Sequence, residues 1–225
     1  MSLKKIIERK ERKKNHFIWS GVEIFIKDPI SNPEISIGEV FSRIEKEIPK
    51  HLLGNLDSIY IGDFGFLKER EIQAAYENSS IFVTNEQDDQ DDICDDIIHE
   101  IAHSVEEIYQ ADIYADGFLE KEFTEKRKQL YTILKSEGFE AELITFLNSD
   151  YDKNFDDFLY MEVGYPILTS LSHNLFYSPY GMTSLREYFA NGFEAFYHHD
   201  AARFLKNICP TLHKKLYKLM EEDHE

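Results

Sequence analysis

The stretch DDIIHEIAH, residues 95–103, decides how the rest of the chain is interpreted. His99 and His103 are four residues apart, so on an α-helix both side chains leave the same face. With Glu100 they form the pattern HExxH. On a helix this pattern offers two imidazoles to a zinc ion and a carboxylate that can act as general base. The alternative is a helix on which the three residues merely form the polar face.

The sequence around the motif predicts a helix from about 91 to 110. Apolar side chains recur there at helical spacing, at Ile97, Ile101, Val105 and Ile108. Four aspartates at 88–92 precede the stripe, where negative charge is stabilised by the free N–H groups of a helix start. The motif therefore lies on a helix with one buried face, which is the context that zinc binding requires.

Strands are predicted before the motif and helices after it. Alternating apolar residues predict strands at 21–28, 58–64, 71–77 and 80–84, the last two forming a hairpin. A helix is predicted at 34–50, and further helices follow the motif, at 118–137, 139–147, 155–176, 184–199 and 210–221. The KRK run at 126–128 is expected on a solvated face. This order predicts an α+β fold, with a small mixed sheet, an edge strand at 80–84 and a mostly helical C-terminal half.

Length and charge limit the possible functions. The 225 residues are enough for one domain, predicted over 15–225. The net charge of −18 argues against a nucleic acid or an anionic membrane as partner. Residues 1–14 carry +5, leaving −23 for the rest. This basic segment is interpreted as a frayed helix, with a docking arm as the alternative.

The two cysteines, Cys94 and Cys209, are too few for a disulfide framework and are typical of a reducing compartment. No stretch has the length of a transmembrane helix, and no apolar signal region follows the basic start. The cytoplasm is therefore the default expectation, while secretion or delivery into a host stays open.

A catalytic zinc site needs a third protein ligand. The strongest candidate region is 180–200, which holds Glu187 and Glu194, seven residues apart, and also contains Tyr180, Asn191, His198 and His199. Each ligand candidate also has a structural explanation. Ser184 and Glu187 match a helix-capping box, Glu194 suits a salt bridge, and the two histidines lie where a helix C-terminus favours positive charge. The residues alone leave the third ligand open.

The stretch YGMTSLREYFANGFEAF, residues 180–196, resembles a segment of the anthrax lethal factor catalytic domain and the related clostridial Pro-Pro endopeptidases. The HEIAH helix and the preceding IFVTNEQ also fit this zincin pattern. The resemblance implies a zincin-like fold and a gluzincin-like site with one Zn²⁺ per chain. His99, His103 and Glu187 would be the zinc ligands, Glu100 the general base, and Tyr180 the hydroxyl that stabilises the oxyanion.

The chain departs from this family in two ways. The 83 residues between His103 and Glu187 are more than the family has, so the helices around 118–160 resemble an insertion. Asn191 stands where the relatives tend to have an acid. An asparagine can still accept a hydrogen bond from a ligand histidine, with less effect on its basicity, and Glu194 is a candidate to replace the missing charge.

The resulting expectation is a zinc-dependent endopeptidase that hydrolyses peptide bonds through a metal-activated water. Its substrate would be a peptide or protein bound in extended form along the edge strand at 80–84. Two alternatives remain. One is an inactive or peptide-binding zincin-like protein, which would not need Glu100; the other is a zinc amidase acting on a non-peptide substrate.

Overall fold

The computed structural model describes residues 15–221. The predicted basic segment 1–14 lies outside the described residues. The chain divides into two compact units, the first ending at Ile108 and the second beginning at Tyr109. At Tyr109 the backbone leaves helical geometry, with φ −96° and ψ 19°, inside a long helix. The single domain over 15–225 stays a prediction.

The first unit contains a mixed five-stranded sheet. Its strands are β1 His16–Trp19, β2 Val22–Ile26, β3 Ser58–Gly62, β4 Ala74–Glu77 and β5 Ser80–Thr84, in the spatial order β1-β2-β3-β5-β4. Strands β2, β3 and β5 are parallel, while β1 and β4 pair antiparallel at the two edges. The buried side chains alternate along the strands, as the period-two pattern requires, and include Ile24, Ile59, Ile61, Ile81 and Val83.

The prediction of an edge strand at 80–84 is wrong. Strand β5 pairs with β3 on one side and with β4 on the other, so β4 and not β5 is the edge strand on this side of the sheet. The reason is the connection between them: Asn78 and Ser79 both adopt left-handed conformations, with φ 51° and 58°. Such a two-residue turn folds β4 directly back along β5 and covers its outer side.

Helices complete the first unit. They are α1 Ile37–Glu47, a 3₁₀ helix Lys50–Leu53, α2 Gly65–Arg70 and α3 Gln90–Tyr114, which runs on into the second unit. The start of α3 is capped as expected, because the Asp89 carboxylate accepts the N–H groups of Asp91 and Asp92 at 2.8 and 3.1 Å. The predicted apolar stripe of α3 is buried through Val105, whereas Ile108 is 48% exposed.

All regular elements in the described part of the second unit, 109–221, are helices. After the end of α3 come α4 Phe118–Ser136, α5 Leu143–Leu147, α6 Lys153–Asp157, a π-helix Phe158–Val163, α7 Tyr165–Ser172, a 3₁₀ turn Tyr180–Met182, α8 Leu185–Tyr197, α9 Ala202–Ile208 and α10 Pro210–Glu221. The α+β class and the helical C-terminal half are confirmed. Strand β1 and helices α2 and α9 were not predicted.

The expectation of a solvated KRK run is wrong for two of its three residues, since Lys126 and Arg127 are buried while Lys128 is exposed. The Lys126 ammonium donates to the carbonyls of Leu175, at 2.6 Å, and Ile208. The Arg127 guanidinium donates to the carbonyls of Thr145 and Asn148, at 2.9 and 2.8 Å. Ile208 ends α9, and Thr145 and Asn148 lie at the end of α5, where carbonyls have no partner within the helix. Burial lowers the pKa of Arg127 to about 9, so the group remains charged at neutral pH.

Within residues 15–221, no helix is both long enough and apolar enough to cross a membrane.

Candidate metal centre

The two motif histidines lie on consecutive turns of α3 in the first unit, as predicted. His103 is buried and His99 is half-buried. Their ring centroids are 5.1 Å apart and the rings are inclined at 80°. Glu100, between them in sequence, is also buried, with 8% of its surface exposed. The helix thus brings two imidazoles together and keeps a carboxylate largely out of solvent.

His103 has a carboxylate neighbour that the sequence reasoning missed. Its Nδ1 lies 3.3 Å from a carboxylate oxygen of Glu106. A carboxylate at Nδ1 orients a histidine ring and raises the basicity of the other ring nitrogen, the arrangement found behind many metal-bound histidines. The i, i+3 spacing of the two residues was the available signal.

A second acid, Asp96, lies one helical turn before Glu100. Burial raises its pKa from 3.8 to about 6; the Gln87 amide, 2.8 Å away, lowers it, and the negative charge of Glu100 raises it. The same Gln87 nitrogen also reaches the carbonyl of Thr84, the last residue of β5, at 3.4 Å. Gln87 therefore ties the end of the sheet to the motif helix.

The second unit carries the remaining predicted residues. Glu187 is half-buried in the first turn of α8, and its backbone N–H donates to the Ser184 hydroxyl at 3.1 Å. The serine half of the predicted capping box is therefore formed. Because this bond uses only the backbone of Glu187, the cap and a ligand role for the carboxylate are compatible.

Tyr180 opens the 3₁₀ turn and is 40% exposed. Asn191 braces this turn from behind, because its side-chain oxygen accepts the Ser178 hydroxyl at 3.0 Å. The turn also needs a glycine: a Cβ at Gly181 would lie 2.9 Å from that oxygen. The role of Asn191 as partner of a ligand histidine stays a prediction.

Glu194 faces His199, with a carboxylate oxygen 3.3 Å from its Nε2. This is the salt bridge expected as its structural role, and it is formed when His199 is protonated. The His198 side chain is buried beside His199, with ring centroids 4.8 Å apart. The role of Glu194 as a substitute charge near a metal stays a prediction.

The rotation of α8 about its axis is set by a contact that the sequence did not reveal. The buried Tyr188 phenol donates to Glu122 at 3.0 Å, and that carboxylate also accepts the N–H groups of Thr211 and Leu212 at the start of α10. Burial raises the pKa of Tyr188 well above its ordinary value, so it remains a donor. Since Tyr188 follows Glu187, this network fixes the direction in which the Glu187 side chain leaves α8.

His99 and His103 lie in the first unit and Glu187 lies in the second, and their role as the three ligands of one ion stays a prediction. Two imidazoles and one carboxylate are donor types that zinc takes in hydrolytic sites, so the residues fit the predicted ion. No protein-family model matches the chain, and the comparisons with curated proteins and with solved structures likewise found no match.

Proposed function

We propose that the chain is a zinc-dependent endopeptidase of zincin-like fold. Its zinc ligands would be His99, His103 and Glu187, with Glu100 as general base and Tyr180 as oxyanion donor. The observation that carries the proposal is the construction of α3. Its two imidazoles lie 5.1 Å apart on one helix beside a buried glutamate, directly after a strand of a mixed sheet.

Three further features support the proposal. Glu106 at the Nδ1 of His103 provides the carboxylate–histidine pairing typical of metal ligands. Glu187 lies in the first turn of a capped helix, so the backbone that carries its carboxylate is already ordered. The resemblance of 180–196 to the lethal factor and Pro-Pro endopeptidase segment supports the assignment of Glu187 and Tyr180.

Zinc bound by these residues would act as a Lewis acid and lower the pKa of a water molecule toward about 7. Glu100 would accept the proton of the water that attacks the peptide carbonyl and then deliver it to the leaving amine. The Tyr180 hydroxyl would donate a hydrogen bond to the oxygen that becomes negative.

The extended substrate would add to β4, the edge strand that precedes β5. A peptide paired with Ala74–Glu77 would use backbone hydrogen bonds for affinity, as in other cases of strand addition. The expected peptide site thus moves from 80–84 to 74–77, while remaining in the first unit together with the motif histidines.

The first test is the zinc content per chain of the wild type, of Glu187→Gln and of Glu194→Gln, measured by elemental mass spectrometry. About one zinc in the wild type, a clear loss in Glu187→Gln and full content in Glu194→Gln would support the ligand set. Glu194→Gln is the matched control because it makes the same chemical change two turns further along α8. Loss of zinc only in Glu194→Gln would identify Glu194 as the third ligand. Absence of zinc from the wild type would contradict the proposal.

The second test separates an enzyme from a peptide-binding protein. Glu100→Gln should keep its zinc and its affinity for a cleaved peptide while the cleavage rate falls by at least about 100-fold, the usual contribution of a general base. A cleavage rate unchanged in Glu100→Gln would contradict the proposed role of Glu100.

A further inference from the structure

A group of large side chains in the second unit points into solvent. Tyr151, Tyr160 and Met161 expose 56%, 60% and 73% of their surfaces, and Tyr165 contacts Tyr160 edge to face at 5.3 Å between ring centroids. We call these four residues the aromatic shelf. Large apolar side chains exposed together, rather than singly, are typical of interaction sites.

The shelf has a rigid base. Phe155 is 2% exposed, lies under the Arg127 guanidinium at 3.9 Å, and contacts Phe146 edge to face at 4.9 Å. Asp152 caps the α6 helix by accepting two backbone N–H groups, at 2.8 and 3.2 Å. The exposed residues thus project from a packed and capped segment, and their exposure does not result from a loose loop.

The shelf backbone also has an uncommon conformation. Tyr160 and Met161 lie in the π-helix Phe158–Val163, and Gly164 with φ 86° ends it just before Tyr165. A π-helix turns its side chains to directions that an α-helix does not reach, and such segments occur frequently at functional sites. The conformation is therefore a second, independent sign that these side chains are placed for contact.

Electrostatics connects the shelf with Glu187, the residue proposed as zinc ligand. Burial, the neighbouring Asp156 carboxylate and, to a smaller extent, the negative charge of Glu187 raise the pKa of both Tyr151 and Tyr165 to about 12. The shelf therefore lies within the electrostatic reach of Glu187 in the same unit. Both phenols stay protonated, and the Tyr151 hydroxyl donates to the Asp156 carboxylate at 2.9 Å.

Acidic residues are frequent in the segment that carries the shelf. Four acids lie in or beside it: Asp150, Asp156, Asp157 and Glu162. The lysine of this segment, Lys153, donates to both oxygens of Asp157 at 2.8 and 2.9 Å and so offers no strong positive field. An anionic membrane or a nucleic acid would be repelled, whereas a cationic group beside an apolar one would be attracted.

We infer that the aromatic shelf is the specificity site of the protein: it binds a substrate peptide through a large apolar or aromatic residue adjacent to a lysine or arginine. The apolar side chain would lie on Tyr160 and Met161. The cationic side chain would reach the carboxylate of Asp156, which accepts the Tyr151 hydroxyl at 2.9 Å and so lies beside the shelf. This inference rests on the proposed peptidase function, because it takes the occupant of the shelf to be the substrate.

The test compares four fluorogenic peptides that differ only in an Arg-Phe, Arg-Ala, Gln-Phe or Gln-Ala pair. The wild type should have the lowest KM for Arg-Phe. The double variant Tyr160→Ala/Met161→Ala should raise the KM for the two Phe peptides about tenfold, with kcat and zinc content unchanged. Ile18→Ala, which removes an equally exposed side chain from β1 in the other unit, is the control.

The charged part of the site has its own variant. Asp156→Asn should reduce the preference for Arg over Gln about three- to tenfold, and raising the salt concentration should reduce it in the wild type as well. If the wild type cleaves all four peptides equally, or if the shelf variants keep its KM values, the inference is wrong.

A binding experiment keeps the inference distinct from the proposed function. Fluorescence anisotropy of labelled Arg-Phe and Gln-Ala peptides is measured with metal-free protein, where cleavage is not required. If the wild type prefers the Arg-Phe peptide and both shelf variants lose this preference, the result supports peptide binding at the shelf, even if the wild type neither holds zinc nor cleaves. Equal binding of the two peptides contradicts the inference even if the wild type cleaves. If the wild type has the molar mass of a dimer and the shelf variant that of a monomer, the shelf is a contact between two copies of this chain, which also contradicts the inference.

Discussion

Asp96 should limit the stability of the protein at neutral pH. Burial raises its pKa from 3.8 to about 6, so at pH 7 folding requires a charged carboxylate in a poorly solvated position. The replacement Asp96→Asn removes the charge and keeps an oxygen that can accept the Gln87 amide, at 2.8 Å in the wild type. The variant should therefore be more stable than the wild type at neutral pH.

The magnitude follows from the difference between the two pKa values. One pKa unit corresponds to about 1.4 kcal/mol, so a rise from 3.8 to about 6 costs about 3 kcal/mol once the group is ionised. Below about pH 4 Asp96 is protonated in both the folded and the unfolded state, so it does not reduce the free energy of unfolding. Between about pH 4 and 6 the folded state binds more protons than the unfolded state, so stability falls as the pH rises.

The assay is urea unfolding of metal-free protein, in the presence of a chelator, at pH values from 4 to 8. At pH 7 the free energy of unfolding of Asp96→Asn should exceed that of the wild type by up to about 3 kcal/mol. Below pH 6 the variant should lack the part of the pH dependence of this free energy that Asp96 contributes. Asp88→Asn is the matched control, because it removes an exposed aspartate from the same region and relieves only the general repulsion of a chain with net charge −18. Equal stabilities of Asp96→Asn and Asp88→Asn across the pH range would refute the reasoning.

Three further predictions concern the second unit, each measured as the free energy of unfolding in urea. Arg127→Ala should cost about 3–5 kcal/mol, because it leaves buried carbonyls without donors and a cavity beside the aromatic rings; a cost below about 1 kcal/mol would contradict this role. Gly192→Ala should cost about 1–3 kcal/mol, since its Cβ would lie 2.3 Å from Leu212, while Gly38→Ala, with nothing within 4 Å, should be neutral or stabilising. Glu122→Gln should cost about 1–3 kcal/mol, because it weakens the charge-assisted acceptor at the start of α10; an unchanged free energy would show that the carboxylate charge is unimportant there.

Several features of the candidate site depend only on short stretches of sequence and were predictable. The spacing of His99 and His103 places both rings on one helix face, because an α-helix repeats every 3.6 residues wherever it lies in the molecule. The cap of Ser184 on the Glu187 backbone follows from residues three apart. The hairpin through Asn78 and Ser79 likewise follows from two residues that tolerate left-handed backbone.

Other features depend on which distant groups meet, and no local pattern specifies that. The KRK run looked solvated because lysine and arginine usually are. Lys126 and Arg127 are nevertheless buried, since the ends of α9 and α5 bring carbonyls to them from 18 to 82 residues away. Glu122 meets Tyr188 across 66 residues for the same reason.

The sequence by itself determined the α+β order of elements, the motif helix and the identity of the donor side chains, because helix and strand periodicity and capping act over a few residues. Only the tertiary structure decided that β4 and not β5 forms the edge, that Asp96 is buried enough to bind protons near pH 6, and that Tyr151 and Tyr160 share an exposed shelf. The physical reason is that strand order, burial and electrostatic environment are properties of groups brought together by packing, whereas hydrophobic periodicity records only which face of each element is buried.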